Sequence, residues 1–260
     1  MLSASACLSL VFLACNGPLK DVAISPGAYK MISQNVKTST LDTSYNSSLQ
    51  LKIYTGEFMM YAAFNPLDSG SSFGIGRYDA DHDTITENVI YSAQDTIKDD
   101  NKRSYKLIIT KTDSGYKQVI PDMPGNGQTF TLTETYTSVG NATKSPLDGV
   151  WSELKTFVVK GNDTTRYNTT QYKAYFGGYY IWGHTYNDSA QKNQTGMGFG
   201  KFVIVGNDKL KESCITSSYP SLRGQDIDID FSMNGEDEFK QTINYKDGSR
   251  AVEIYQRMKK

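Results

Sequence analysis

Phe73-Gly74-Ile75-Gly76-Arg77-Tyr78 returns 124 residues later as Met197-Gly198-Phe199-Gly200-Lys201-Phe202. An aromatic or Met, a Gly-x-Gly and a basic-aromatic pair keep their order in both copies. Other pairs extend the match outward. Tyr54-Thr55-Gly56 matches Tyr175-Phe176-Gly177 at an offset of 121, and Tyr116–Ile120 matches Phe239–Ile243 at 123. Tyr29 in PGAYK aligns with Trp151 in DGVWS at 122, and Gly127 with Gly248 at 121. Five segments in register, with offsets drifting only between 121 and 124, describe a duplicated chain with small turn insertions. The units run over 25–139 and 146–260, and the polar stretch Ser138–Ser145 links them.

Both units read as strands. Period-2 alternation is common, as in Asp226-Ile227-Asp228-Ile229-Asp230-Phe231, and no sustained 3.6 period occurs. Strands are expected near 27–33, 49–55, 57–64, 73–79, 84–93, 104–111, 115–121 and 128–136. In the second unit they fall near 149–159, 166–176, 178–186, 197–205, 208–218, 225–233, 238–245 and 248–257. The connections are short and rich in Gly, Asn, Asp and Ser, which makes consecutive strands antiparallel hairpins. Eight such strands in each unit fit an up-and-down barrel, whose closure removes exposed edges. The fold class is therefore all-β: two tandem eight-stranded antiparallel barrels after an N-terminal signal segment.

Gly149-Val150-Trp151, opening the first strand of unit two, resembles the Gly-X-Trp signature of lipocalins and related calycin barrels. The resemblance implies that a basic residue on the last strand packs over the Trp, a role that falls to Arg257. Unit one keeps the Gly of Gly27-Ala28-Tyr29 but has Tyr for Trp, and the position matching Arg257 falls near Ser138. The resemblance covers nearly the whole mature chain. It is similar in flavour to lipocalin-like lipoproteins of Bacteroidota-type bacteria, although a tandem pair departs from the usual single barrel.

Leu8–Ala14 is a short apolar run ending at Cys15. It falls well short of the ~20 residues needed to cross a bilayer and reads as the core of a secretory signal. Phe12-Leu13-Ala14-Cys15 resembles the bacterial lipobox. That resemblance implies a signal over 1–15, a lipid on Cys15, a tether over 16–24 and a bacterial cell-envelope location. No basic residue precedes the apolar run, so the natural start is expected further upstream. Cys7 lies in the signal, which leaves Cys214 alone as a small buried hydrophobe.

The third strands are apolar on both faces: Glu57-Phe58-Met59-Met60-Tyr61-Ala62-Ala63-Phe64 and Gly178-Tyr179-Tyr180-Ile181-Trp182-Gly183-His184. One face is expected to point into the barrel and the other to pack on the sister barrel or cover a ligand mouth. Met59 and Tyr61, with Tyr180, Trp182 and His184, are the candidate ligand-binding residues, since polar-tipped aromatics combine apolar area with a hydrogen-bonding handle. Core packing explains the same residues. A barrel of this size either fills with side chains or holds one small ligand.

A net charge of -1, with 27 basic and 28 acidic residues, argues against a nucleic-acid partner. The Gly-x-Gly pairs lack the strand–turn–helix setting of a phosphate loop and are assigned to wall bends. With two histidines and no nucleophile motif, no catalytic residue, metal site or cofactor is assigned. His82 sits in the Asp-rich turn Asp79–Asp83, which reads as a solvated loop, and Asp226, Asp228 and Asp230 as a solvent face. Asn-X-Ser/Thr triplets at Asn46, Asn141, Asn162, Asn168, Asn187 and Asn193 would suggest glycan acceptors in a eukaryotic secretory protein, but in the bacterium that the lipobox resemblance implies they are mostly chance. The leading expectation is an envelope-anchored, non-enzymatic protein binding a small apolar or amphipathic ligand. The alternatives are an interaction scaffold using barrel exteriors and, more remotely, a barrel-mouth hydrolase or isomerase.

Overall fold

The computed structural model describes residues 24–46, 49–93, 103–125, 127–140, 144–190 and 192–259. The signal, its lipobox with Cys15, and all but the last residue of the 16–24 tether lie outside the described residues. The first barrel is built from β1 (Gly27–Lys37), β2 (Asp42–Tyr45), β3 (Leu49–Tyr54), β4 (Phe58–Asn65), β5 (Gly70–Asp81), β6 (Thr84–Ser92), β7 (Ser104–Thr112), β8 (Gly115–Gly125) and β9 (Gln128–Ser138). The second repeats this as β10 (Gly149–Lys160), β11 (Asp163–Tyr167), β12 (Thr169–Phe176), β13 (Tyr179–Asn187), β14 (Asn193–Val205), β15 (Lys209–Ser217), β16 (Asp226–Asn234), β17 (Glu238–Asn244) and β18 (Arg250–Arg257). Strands pair antiparallel in chain order, and β1–β9 and β10–β18 close the two sheets. Closure pairs the staves on both sides except at β2 and β11, which pair only with β1 and β10.

Nine strands make eight staves because the second stave is interrupted. β3 pairs with Gly27–Lys30 of β1, and β2 pairs with Gln34–Lys37. The gap faces a bulge: the β1–β9 register skips Ile32. The second barrel does the same at Leu154, between the pairings of β12 and β11. A bulge bends and overtwists its strand, so the ladder on its other side lapses there. Sequence periodicity placed the second staves at 49–55 and 166–176. The structure adds β2 to the first and breaks the second at Asn168.

A further bulge between β5 and β6 skips Ile90, and its counterpart between β14 and β15 skips Ile215. Gly76 and Gly200 sit opposite these bulges. A Cβ there would collide with the carbonyl oxygens of Asn88 and Ser213 respectively. The second glycine of each Gly-x-Gly pair thus permits the bend in the wall.

Alternation divides β3 and β4 cleanly. Gln50, Lys52 and Tyr54, with Met59, Tyr61 and Ala63, belong to the inner face. Leu51, Ile53, Phe58, Met60, Ala62 and Phe64 belong to a cluster that the second barrel completes with Val150, Ala174, Ile181, Met197 and Phe199. Corresponding strands meet across this seam: β3 with β12, β4 with β13 and β5 with β14. Phe73 lies against Gly183, where a Cβ would come within 2.5 Å of its ring. Tyr91 and Thr185 share a hydrogen bond between their hydroxyls, and Arg223 stacks over Phe64 at 4.3 Å. Burying an apolar side chain of this kind stabilises by about 1.5–3 kcal/mol. The seam is therefore a third core, and it explains why the third staves are apolar on both faces.

Candidate functional site

Each barrel is filled at one end and hollow at the other. In the first, Tyr29, Tyr54, Tyr116 and Tyr136 pack edge-on or stacked with Met31 and Met59. In the second, Trp151, Tyr175, Phe202, Phe239 and Tyr255 do the same with Tyr180. The guanidinium of Arg257 lies 4.0 Å over the Trp151 ring. It donates to the backbone oxygens of Asp148, Pro146 and Glu236, and Trp151 Nε1 donates to Leu147 O at 2.8 Å. Tyr29 pairs with Ser138 where Trp151 pairs with Arg257, so a serine stands at the place of the guanidinium in the first barrel.

Above the packed end lies a buried polar floor, which sequence reasoning missed. In the first barrel Lys52 Nζ donates to Glu87 at 3.0 Å and to Gln118 Oε1 at 3.4 Å. Tyr54 also donates to Glu87. Gln118 Nε2 and the Tyr136 hydroxyl both donate to Glu134, at 2.6 and 2.8 Å. Gln50 Nε2 donates in turn to Tyr136. Lys52 and Glu87 are only 3% and 4% exposed. The second barrel repeats every contact. Lys173 donates to Glu212 and Gln241, and Tyr175 to Glu212. Gln241 and Tyr255 donate to Glu253, and Gln171 to Tyr255. The sequence carried a signal: Gln50-x-Lys52-x-Tyr54 recurs as Gln171-x-Lys173-x-Tyr175, and Glu134-x-Tyr136 as Glu253-x-Tyr255. Charges this deep persist only when paired, as Lys52 and Glu87 are, or hydrogen-bonded, as Glu134 is. Burial, reinforced by Glu87 and Glu212, holds the hydroxyls of Tyr54 and Tyr175 well above their ordinary range, so both remain donors.

The floors underlie cavities of about 450 Å³ in the first barrel and about 660 Å³ in the second. Both volumes fall within the ~300–1,000 Å³ of small-molecule sites. Tyr61, Val89, Tyr105, Ile120, Met123 and Leu132 form the apolar wall of the first. Trp182, His184, Tyr219, Leu222 and Ile243 line the second. A Cβ on Gly74 would strike Tyr61, and one on Gly198 would strike Trp182, so these glycines let the rings lie against the neighbouring strand. Of the five candidate ligand-binding residues, Tyr61, Trp182 and His184 line the cavities. Met59 and Tyr180 lie fully buried in the packed end and line neither.

His184 marks the main difference between the sites. Its Nδ1 lies 2.9 Å from Gln171 Oε1 and its Nε2 2.8 Å from the Tyr219 hydroxyl. Gln171 spends its amide donors on Glu253 and Tyr255, so its oxygen accepts Nδ1–H, and Nε2 accepts from Tyr219. Burial lowers His184 to about 4, so the imidazole is neutral near pH 7. Trp182 stacks on Tyr219, which precedes the short 3-10 turn Pro220–Leu222. The first barrel has Ala63 in place of His184. Its β1 residue Met31 is replaced in the second barrel by Glu153, which accepts from Thr169 at 2.6 Å. Burial is the main cause that pushes Glu153 up to about 7, partly opposed by Thr169 and aided by Glu253.

His82 lies in an exposed turn, 3.0 Å from Asp81. Asp226 and Asp230 pair on the surface with Lys211 and Lys209. Cys214 is buried, and its thiol donates to Thr216 O.

No protein-family model matches the chain, and no curated protein does. A solved structure of a protein of unknown function from the DUF3598 family of Nostoc punctiforme aligns over 90% of this chain and 96% of its own. At 10% identity and a TM-score of 0.27, that likeness carries no argument about this protein.

Proposed function

We propose that the chain is an envelope-anchored, non-enzymatic carrier whose two lipocalin-like barrels each hold a small amphipathic ligand. The observation that carries this reading is the pair of matching cavities, each with an aromatic wall over a Lys–Glu–Gln–Glu floor. A purely apolar ligand would leave that floor facing hydrocarbon, so the ligand brings a polar head as well as an apolar body. The Arg257–Trp151 closure supports the lipocalin-like assignment, and the Phe12–Cys15 lipobox supports lipid anchoring in a bacterial envelope. The scaffold alternative called for exposed aromatics on the unpaired face of the third staves, away from the other barrel, whereas Phe58, Phe64 and Ile181 of that face are buried in the seam.

Native mass spectrometry of the soluble form starting after Cys15, purified from the host's own envelope extract, tests the reading. A reproducible added mass is expected, with the first barrel's share lost on Tyr61→Ala and the second's on Trp182→Ala. A bare mass from gently handled extract, with no change in either variant, would overturn it.

A further inference from the structure

We propose that the first barrel's cavity selects a protonated primary amine on a short apolar chain, seating the ammonium against Gln50 and Glu134 where the second barrel places the imidazole of His184. This deepens the carrier reading and rests on it. The floor charges do not cancel: Lys52 is matched by Glu87, whereas Glu134 receives, among the described residues, only neutral donors, from Gln34, Gln118 and Tyr136. A second, independent feature lies beside it. The Tyr136 hydroxyl gives its proton to Glu134, so the bond it makes with Gln50 must be donated by the Gln50 amide. That leaves the Gln50 carbonyl oxygen free of Tyr136, on a residue that lines the cavity. Gln50 is 7% exposed, and among the described residues its oxygen accepts no hydrogen bond. The corresponding oxygen of Gln171 accepts from His184.

The fold also shows why the imidazole is absent from the first barrel. His184 pairs across the strands with Gly196, where a Cβ would collide with its Nε2. Ala63 pairs with Ser72, so both the ring and the room for it are missing. The first cavity thus offers a bare acceptor beside an unmatched carboxylate. A neutral alcohol would satisfy the acceptor alone, an ammonium satisfies both, and a carboxylate meets like charge in a poorly solvated space.

Isothermal titration of the purified chain with hexylamine, hexanol and hexanoate tests this. One hexylamine per chain is expected, bound about tenfold or more tightly than hexanol, with hexanoate unbound. Ala63→His combined with Ser72→Gly should abolish that site. His184→Ala should open a second one and raise the stoichiometry to two, a gain that a folding defect cannot mimic. Hexanoate binding as tightly as hexylamine, an amine site indifferent to Ala63→His with Ser72→Gly, or no added site in His184→Ala would each overturn the proposal. Equal uptake of all three probes at the Ala63 site would sink the amine preference and leave the carrier reading standing. No uptake of any probe in any variant would sink both.

Discussion

Lys173→Met removes the cation from Glu212 while nearly preserving side-chain volume. Glu212 is 3% exposed and, among the described residues, would keep only the Tyr175 hydroxyl as a donor. Breaking a buried ion pair from one side costs about 3–5 kcal/mol, because the remaining charge is neither paired nor hydrated. For a chain of this size each kcal/mol moves the melting temperature by about 2–4 °C, so the variant should melt roughly 6–20 °C below wild type near pH 8. Adding Glu212→Leu should recover most of the loss, since an apolar pair replaces an orphaned charge. Scanning calorimetry at pH 8 reads both outcomes. A single variant melting within about 2 °C of wild type at pH 8, or a double variant no better than the single, would refute the account of the floor.

Glu153, raised to about 7 chiefly by burial, contributes stability that is complete below the unfolded carboxyl value and lost as pH rises through 7. Glu153→Gln should flatten that loss by about 1–2 kcal/mol between pH 5 and pH 8, allowing for partial solvent screening, as read by urea unfolding at both pH values. Gly200→Ala drives a methyl into the Ser213 carbonyl and should cost about 1–3 kcal/mol in chemical denaturation, with Gly76→Ala behaving alike. Phe73→Ala empties the contact with Gly183 and should cost about 3–5 kcal/mol. Because the loss falls on the seam, calorimetry should show the two barrels beginning to melt separately.

Much of the architecture was legible because turns and repeats are local signals. The Gly-x-Gly pairs stood in register, and period-2 runs bounded by Asp-Gly and Asn-Asp turns marked the hairpins. The doubly apolar third stave implied burial on both faces, and the seam supplies the second. The interrupted second stave was hidden because a bulge at Ile32 or Leu154 carries no compositional mark. The floor was missed for a different reason. Gln50, Lys52 and Glu87 read as surface residues by type, and only the long-range pairing of β3 with β6 and β8 residues makes them interior. Met59 and Tyr180 had the right face but the wrong depth, since periodicity gives side and not height along the barrel axis.

Corresponding staves meet across the seam, which is the arrangement of a twofold dimer whose subunits have been joined end to end. In a true homodimer one gene writes both faces, so any knob must also serve as its own socket. Here the faces have parted company. Phe73 fills the space over Gly183, while their counterparts are Met197 and Ala62. The covalent link also makes docking intramolecular, at an effective concentration around the millimolar range, so the seam need not be strong enough to assemble free subunits. Freed from symmetry, the interiors are no longer obliged to match either. Ala63 in one and His184 in the other give a single polypeptide two unlike cavities held in fixed proportion.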